Sequence, residues 1–458
     1  MELLEKILGK INEVVWGPLM LMILVGTHLF LTIRLKGIQR YIGKGIKLSF
    51  LRNKEGDGDI SQFGALTTAL AATIGTGNIV GVATAIAAGG PGAVFWMWIT
   101  GVLGIATKYS EALLSVKYRI RTANGQMAGG PMYVLEHGLK SKPLGIIFAV
   151  LTAIAAFGIG NTVQSNSIAS LLKDAYSVPV WITGLILAIL TALVILGGIK
   201  SIAKTCEKLV PFMAVVYVIG CIVLLFTHSD KIIPAILQII TSAFTGQAAV
   251  GGFLGAGMKE AVRFGIARGL FSNESGMGSA PIAAAAAQTK NPVRQALVSA
   301  TGTFWDTVII CALTGITLVA SGAWTKGLKG AALTKAAFSE LSWFGPAILT
   351  FGLLTFVFST ILGWSYYGEK AVEYIGGEKT LKPYRLLWIG AVMVGAVVNV
   401  PVVWSFADIV NALMALPNLL SLIVLSSVVA IETKKYFQDE SVQTHASEKK
   451  KENAAISG

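Results

Sequence analysis

Hydrophobic segments close to the thickness of a bilayer recur along the whole chain. A helix needs about 20 apolar residues to cross the hydrocarbon core of a membrane. By this measure the sequence predicts eleven spanning helices, at residues 14–33, 62–88, 92–116, 144–172, 178–197, 208–227, 258–287, 293–320, 343–368, 385–400 and 405–431. The irregular stretch 231–257 separates the first six from the last five, and its apolar part, 232–244, predicts a surface helix or a re-entrant element.

Two of the predicted spans are interrupted near their middle by glycines and small polar residues. The first interruption reads Thr-Ile-Gly-Thr-Gly-Asn-Ile-Val-Gly from Thr73 to Gly81, and the second reads Ser-Asn-Glu-Ser-Gly-Met-Gly-Ser-Ala from Ser272 to Ala280. These residue types favour an unwound segment over a continuous helix. Because unsatisfied N–H and C=O groups in hydrocarbon each cost several kcal/mol, the two breaks indicate a ligand cavity, as in secondary transporters.

The two breaks belong to a weak internal repeat. An offset of about 200 residues places Thr76 and Gly77 opposite Ser275 and Gly276. A unit of five helices crosses the membrane an odd number of times, so a second copy must be inverted. The predicted organisation is an extra amino-terminal helix with a basic linker, a first repeat, a surface segment with a second repeat, and a charged tail, at 1–61, 62–230, 231–432 and 433–458.

Composition and charge place the chain in a membrane. With 54% hydrophobic and 13% charged residues, 458 residues carry too little charge to cover a soluble globule. A net charge of +13 in a soluble protein would suggest nucleic acid, but 27 of the 37 Lys and Arg residues fall on one side if the amino terminus is outside and the carboxyl terminus is cytoplasmic. This asymmetry follows the positive-inside rule. We therefore expect a multi-pass protein of the cell membrane, with the lipid bilayer and no nucleic acid as partner.

The same survey argues against an enzyme. The four histidines and three cysteines are too scattered for a metal cluster. Neither break has the spacing of a nucleotide-binding loop, and no hydrolytic triad is evident.

The half-helices at the first break present opposite charges to its centre. The half-helix that begins at Thr76, Gly77 and Asn78 directs free N–H groups at the bilayer centre, which favours a carboxylate. The half that ends at residues 71–74 directs free carbonyls at the same point and can ligate a cation or an ammonium group. A zwitterion suits both ends.

The second break is expected to repeat this arrangement. Carbonyls near Phe271 and Ser272 supply the negative end, and Asn273, Glu274 and Ser275 begin the next half-helix. Asn273 either caps that helix or contacts the substrate.

Polar residues in other apolar segments are further candidates. The hydroxyls of Ser359 and Thr360 suit an alkali cation, although such groups also bond to carbonyls of their own helix. Asn161 and Gln164 either line a cavity or bond to a neighbouring helix.

Acidic residues inside the spans are interpreted mainly as paired groups. Glu274 is expected to pair with Arg268 or another nearby base, because intramembrane acids need a partner, and it otherwise binds an ion, a proton or the substrate amine. Asp306 and Asp408 are interpreted as structural. The charges of Lys259, Glu260, Arg263 and Arg268 predict that the first half of the span 258–287 faces water.

Three motifs resemble those of the alanine/glycine:cation symporter family. They are the first break, the Gly-Gly-Pro-Gly-Ala-Val-Phe-Trp-Met-Trp segment from Gly89 to Trp98, and the stretch from Gly269 to Pro281. The resemblance spans nearly the whole chain. It implies an all-α integral membrane protein with a LeuT-like 5+5 inverted repeat and one extra amino-terminal helix, which imports alanine or glycine with Na⁺ as the co-transported ion.

The resemblance also implies a set of site residues. The carbonyls of Thr73 and Phe271 would receive the substrate ammonium. Walls that limit side-chain size are expected at Gln164, Met277 and Trp364. The whole expected substrate set is Thr73, Thr76, Gly77, Asn78, Gln164, Phe271, Ser272, Asn273, Gly276, Met277 and Trp364, and the set expected to hold a single sodium ion is Ala71, Ile74, Ser359 and Thr360.

Other functions remain open at this point. A proton could replace Na⁺, and an amino-acid sensor built on the same scaffold would keep the same pocket. A channel would instead need a continuous polar pore.

Overall fold

The computed structural model describes residues 2–51, 56–245, 257–342, 344–398 and 400–439. Most of them are helical. The helices before residue 246 are α1 Glu2–Val15, α2 Pro18–Arg34, α3 Ile42–Phe50, α4 Gln62–Thr73, α5 Val82–Gly89, α6 Gly92–Lys117, α7 Pro131–Tyr133, α8 Lys142–Phe157, α9 Val163–Tyr176, α10 Val180–Ile195, α11 Gly198–Thr227 and α12 Ile232–Thr245. Those after residue 256 are α13 Met258–Asn273, α14 Pro281–Ala285, α15 Pro292–Thr303, α16 Ala312–Ala320, α17 Gly330–Phe338, α18 Phe344–Gly376, α19 Leu381–Val397 and α20 Val400–Val424, followed by helical residues 426–439.

Several shorter elements complete the described chain. The β-structure in strands is one antiparallel hairpin, β1 Ile120–Arg121 with β2 Met127–Ala128. Wide π-helical turns occur at Gly77–Gly81, Val134–Gly138, Gly158–Thr162 and Phe304–Cys311, and single 3₁₀ turns at Ile38–Tyr41, Ser229–Lys231, Ala323–Lys326, Ser339–Leu341 and Glu378–Thr380. Such π turns are rare and are frequent at functional sites.

Six helical stretches in the described ranges are long and apolar enough to cross a membrane. They are Lys6–Arg34, Lys142–Tyr176, Gly198–Thr227, Pro292–Ala320, Phe344–Gly376 and Ser405–Val424, and a bent pair, Gln62–Thr73 with Gly77–Gly89, adds a seventh. Large apolar side chains such as Leu193, Phe226 and Leu387 are exposed on α10, α11 and α19, as expected for helices that face lipid. The predicted total of eleven crossings stays a prediction.

The first predicted break is present. Ser61 caps α4, because its Oγ accepts a hydrogen bond from Gly64 N at 2.8 Å. The helix ends at Thr73, Ile74 has extended dihedral angles, and the chain resumes as a π turn at Gly77. The two halves meet at an angle of 51°. The sequence pattern therefore located this interruption correctly.

The second predicted break is also present, but it is longer than expected. Helix α13 ends at Asn273 and α14 begins only at Pro281. Gly276 and Gly278 adopt positive φ angles of 91° and 84°, which glycine reaches without steric cost. The prediction that Asn273, Glu274 and Ser275 begin the next half-helix is therefore wrong, because proline starts that helix and the residues before it form an unwound loop.

Helix α6 lies at the centre of the bundle, against both α13 and α15. Glycines allow these close approaches: Gly265 of α13 contacts the Ala93 backbone, and a Cβ on Gly101 would lie 2.7 Å from Thr307 Cγ2. Small residues at helix contacts are typical of packing in membranes. The broken spans are thereby held against a continuous helix.

The predictions for the apolar segment 232–244 and for the tail 433–458 are confirmed only in part. Residues 232–244 lie within α12, whose Ala243 carbonyl accepts a hydrogen bond from Trp96 Nε1 at 3.2 Å. Helix α17 was not predicted. The helix 426–439 enters the expected tail 433–458, of which 440–458 lies outside the described residues, as does 246–256 of the irregular stretch.

Candidate functional site

The two breaks meet at Gly77. A Cβ on this glycine would lie 3.2 Å from Ser272 Cα and 3.4 Å from Phe271 Cδ1. A side chain here would separate the two unwound segments, so the absence of one is what lets their backbones approach. The residues that the sequence assigned to opposite ends of a zwitterion are therefore neighbours.

Asp306 joins the two breaks. Its Oδ1 accepts a hydrogen bond from Asn78 Nδ2 at 2.7 Å, and its Oδ2 accepts from Ser272 Oγ at 2.9 Å. Thr307 Oγ1 also donates to Oδ2 at 2.7 Å. This fully buried carboxylate is carried by the π turn Phe304–Cys311 between α15 and α16. The structural interpretation of Asp306 made from sequence missed its position between both breaks.

Asn78 shapes the first break as well as bonding across it. Its Oδ1 accepts a hydrogen bond from Gly75 N at 2.9 Å, which satisfies one donor of the unwound segment. Its Nδ2 also lies 3.2 Å from the Asp306 carbonyl oxygen. One buried amide therefore fixes both the local turn and its link to the π turn Phe304–Cys311.

The expected sodium residues are partly brought together. Thr360 Oγ1 lies 3.5 Å from the Ile74 carbonyl oxygen, and a Cβ on Gly75 would be 2.5 Å from the same hydroxyl. Ser359 Oγ donates to the Phe356 carbonyl in its own helix at 2.9 Å. Ala71 is buried on α4, against which α18 packs. Hydroxyl and carbonyl oxygens thus face each other between α18 and the first break.

Two buried side-chain oxygens near the first break are candidates for ligand contact. Gln164 Oε1 and Thr76 Oγ1 are buried and have no hydrogen-bond partner within the described chain. Gln164 Oε1 lies 3.6 Å from the position of a Cβ on Gly75, while its Nε2 donates to Ile159 O at 3.0 Å. Because buried polar atoms are rarely left unpaired, the Gln164 oxygen is suited to a cation or an ammonium group, whereas the Thr76 hydroxyl can also donate to a carboxylate. Asn161 Nδ2 donates to Trp388 O of a neighbouring helix at 2.9 Å, and Asn161 Oδ1, like Gln164 Oε1, has no partner within the described chain.

Glu274 does not pair with Arg268, so that named partner is wrong, and the hydrogen bonds to its carboxylate come from neutral donors. Glu274 Oε1 accepts from Trp364 Nε1 at 2.9 Å, and Oε2 accepts from Ser279 Oγ. Its own backbone has a positive φ of 56°, which turns the side chain away from α13. Trp364 packs against Gly160, so the expected wall residue is fixed from both sides.

Arg268 faces a separate water-accessible cavity of about 260 Å³. The cavity lining includes Trp16, Phe271 and Asp408. Arg268 Nη2 lies 3.7 Å from Asp408 Oδ2, and Trp16 Nε1 donates to the Asp408 carbonyl at 3.1 Å. Arg263 and Arg268 of the charged first half of α13 therefore line a cavity that also contacts Phe271, and the exposure of this half to water stays a prediction.

The rest of the second break is held by residues that sequence reasoning missed. Glu111 Oε1 of α6 accepts hydrogen bonds from Gly276 N at 3.0 Å and Gly278 N at 3.1 Å. Asn418 Nδ2 of α20 donates to Glu111 Oε1 at 2.7 Å and to Gly276 O at 2.9 Å. An acid within the predicted span 92–116 was the available signal, since such acids need partners.

Other expected residues of the second break have structural partners. Asn273 Nδ2 donates to Thr307 Oγ1 at 3.1 Å, and its Oδ1 accepts from Ser275 N at 2.9 Å. It therefore caps the unwound loop and does not begin a helix. Gly276 lies against Leu24 and is directed away from Gly77. Met277 is fully buried.

Thr73 of the first break is buried at the end of α4. It lines a narrow cavity of about 10 Å³, roughly the space of one water.

Comparison with known proteins identifies the family of the chain. The model of the sodium:alanine symporter family matches residues 1–452. The chain belongs to this family. It is 51% identical over 441 residues to the sodium/alanine symporter AgcS of Methanococcus maripaludis, covering 94% of this chain and 96% of that protein. It is 52% identical over 440 residues to an uncharacterized transporter of Haemophilus influenzae, covering 95% and 96%.

The fold agrees with a solved transporter structure. The crystal structure of MhsT in complex with L-phenylalanine matches with a TM-score of 0.52 at 13% identity, covering 82% of this chain and 98% of that one. This likeness concerns the fold alone, which is the LeuT-like fold expected from the resemblance. The sodium:alanine symporter family member described here is thus a multi-pass membrane transporter and not an enzyme, and its family couples transport to sodium.

Proposed function

We propose that the protein imports alanine and glycine together with Na⁺ by alternating access. The observation that supports this most strongly is the meeting of two unwound spans at Gly77 and Ser272, beside the oxygens of Ile74 and Thr360. A small zwitterion and a cation both find complementary groups there. Membership of the sodium:alanine symporter family supports sodium and alanine as the transported species. The close contact at Gly77 favours substrates with small side chains.

The substrate carboxylate binds at the N–H end of the first break, near Thr76, Gly77 and Asn78. The free Thr76 hydroxyl supports this assignment, because it has no hydrogen-bond partner within the described chain. The substrate ammonium binds near the carbonyls of Thr73 and Phe271. Asp306 fixes Asn78 and Ser272 so that the two ends keep their spacing.

Sodium binds between α18 and the first break. Its ligands are the carbonyls of Ala71 and Ile74 and the hydroxyls of Ser359 and Thr360. Hard oxygen ligands of this kind suit an alkali cation. For coupling, sodium must bind the outward-open state more tightly than the inward-open state, because a ligand shifts an equilibrium only by its difference in affinity.

Selectivity for small side chains comes from the walls at Gln164, Met277 and Trp364. A pocket discriminates a single methylene by only about 1–3 kcal/mol, so larger amino acids are rejected chiefly because they prevent closure. Trp364 is suited to this role because Glu274 and Gly160 fix its position.

Uptake of labelled alanine and glycine by proteoliposomes tests the proposal. An inward sodium gradient should drive accumulation, and a proton gradient alone should not. Counterflow of preloaded alanine should also occur. Accumulation driven by a proton gradient would show that H⁺, and not Na⁺, is the coupling ion. Binding without uptake would indicate a sensor. Flux without counterflow would indicate a channel.

The orientation has its own test. We propose an external amino terminus and a cytoplasmic carboxyl terminus. A cysteine placed at the exposed Lys6, the first residue of the apolar stretch Lys6–Arg34, should react with a membrane-impermeant maleimide added to intact cells. Labelling only after the cells are opened would reverse the topology.

A further inference from the structure

The two broken spans are joined a second time, far from their breaks. The chain entering α4 and the chain leaving α14 run side by side, and Ile60 pairs with Ala287 in a parallel β-bridge. Asp59 N donates to Ala286 O and Gln288 N donates to Ile60 O, each at 2.8 Å. One strand-like contact therefore links the entrance of the first broken span to the exit of the second.

Arg119, just after α6, fastens this contact. Its Nη1 donates to the carbonyls of Ala285 at 2.9 Å and Ala287 at 2.7 Å. Its Nη2 donates to the carbonyls of Asp57 at 2.7 Å and Thr289 at 3.1 Å. One guanidinium thus satisfies four carbonyls from both segments. A lysine ammonium has three donors and no planar fork, so it cannot reproduce this geometry.

Glycines let the two segments approach. Gly58 contacts the Gln288 backbone, and a Cβ on Gly56 would lie 2.5 Å from Thr289 C. Gly56 also has a positive φ of 91°. Residues 56–60, residues 285–289 and Arg119 are called the Arg119 clamp below.

The clamp is also tied to the adjacent helix and hairpin. Asp59 Oδ2 accepts from Met127 N of β2 at 2.8 Å, and Ser115 Oγ of α6 donates to Pro281 O of α14 at 2.7 Å. Partial burial lowers the pKa of Arg119, and the carboxylates of Asp57 and Asp59 oppose this shift. The guanidinium stays charged, since arginine does not lose its proton in proteins.

We propose that Arg119 is a positioning residue that keeps the clamp closed throughout the transport cycle, so that the two broken spans move as one body. This inference rests on the proposed function. Of the two breaks, the proposed sodium site involves only the first, whereas the proposed substrate site involves both. Asp306 joins the breaks at the centre and the clamp joins them at one end, and two attachment points fix their relative orientation. Sodium binding at the first break is thereby transmitted to the second.

A disulfide across the bridge tests whether the clamp stays closed. Paired strands lie about 4.8 Å apart, within the Cα separation of about 4.4–6.8 Å that a disulfide needs. The double variant Ile60→Cys with Ala287→Cys should form the bond in full yield, with or without alanine and Na⁺. The oxidised protein should keep sodium-driven alanine uptake within about twofold of the reduced form, a change of only about 0.4 kcal/mol. Loss of uptake on oxidation, restored by a reductant, would show that the clamp opens and would overturn the proposal.

Removal of the arginine provides the complementary test. Arg119→Ala should lower uptake by roughly tenfold or more, because four carbonyls lose their donor. In the same variant, the disulfide between positions 60 and 287 should restore at least about half of the uptake, since the bond replaces the lost restraint. No recovery on oxidation would overturn a positioning role. The matched control is Arg121→Ala, whose side chain forms an exposed ion pair with Asp57 and should transport like the wild type.

Ligand binding gives a readout that general destabilisation does not produce. In the wild type, Na⁺ should lower the dissociation constant of alanine, and in Arg119→Lys this lowering should shrink. An unchanged sodium effect in Arg119→Lys would contradict the proposal. If the wild type took up no alanine at all, the proposed function would fail, but the yield of the disulfide in ligand-free protein would still decide whether the clamp is closed.

Discussion

Thr360 Oγ1 lies 3.5 Å from the carbonyl oxygen of Ile74, across the interface between α18 and the first break. The same hydroxyl donates its hydrogen to Phe356 O at 2.8 Å, so its oxygen lone pairs remain available to a cation. A cation held between the two oxygens would link a continuous helix to a broken one.

Replacement of this hydroxyl should weaken sodium binding. Thr360→Val keeps the shape of the side chain but removes the oxygen, so the sodium concentration for half-maximal uptake should rise by roughly tenfold, which corresponds to about 1.4 kcal/mol. The matched control is Thr355→Val on the same helix, whose hydroxyl bonds to Phe351 O. Equal sodium dependence in the two variants would remove Thr360 from the site.

Gly75→Ala tests the same interface without removing a ligand. A Cβ at this position would lie 2.5 Å from Thr360 Oγ1, closer than real side-chain contacts allow, so the break and α18 must separate. We expect sodium-driven uptake to fall at least tenfold, an effect of about 1.4 kcal/mol on the transport barrier. Gly26→Ala is the control, because nothing lies within 4 Å of its Cβ position. Uptake by Gly75→Ala at the wild-type rate would show that the interface tolerates this displacement.

Asp306 should be required in its charged form. Asp306→Asn keeps the size of the side chain but weakens the bonds from Asn78 and Ser272, and hydrogen bonds to charged groups contribute about 1.5–3 kcal/mol each. Alanine affinity should fall by more than tenfold, measured by binding to purified protein in saturating Na⁺. Asp174→Asn, at an exposed position, serves as the control. Retained affinity in Asp306→Asn would reduce Asp306 to a packing group.

The breaks could be predicted from sequence because their signal is local. Glycine, hydroxyl and amide residues within Thr73–Gly81 and Ser272–Ala280 conflict with the surrounding apolar helix, and that conflict is visible in a short window. Hydropathy likewise located the long helices. The start of the next half-helix was misplaced, because Asn273–Ser275 carry the residue types of a helix start, whereas the helix begins at Pro281 and distant residues hold the loop before it.

Those distant residues mark what the sequence leaves undetermined. Glu111 of α6 and Asn418 of α20 hold the second break. Trp364, and not Arg268, donates the hydrogen bond to Glu274. A single polar residue in an apolar helix indicates that a partner exists. Which residue is that partner depends on how the helices pack. The role of Arg119 was hidden for the same reason, since its acceptors are backbone carbonyls that carry no sequence signal.

Asn418→Ala should destabilise the second break. The substitution removes the donor to Gly276 O and one of three donors to the buried Glu111 carboxylate. A buried acceptor that loses its partner costs about 1–3 kcal/mol, so the thermal midpoint in detergent should fall measurably and alanine should stabilise the variant less than the wild type. Ser421→Ala on the same helix removes only a hydroxyl that bonds to its own backbone and should unfold near the wild-type temperature. If both variants unfolded together at the wild-type midpoint, the loop 274–280 would owe its conformation to its glycines, and Glu111 and Asn418 would have no part in holding it.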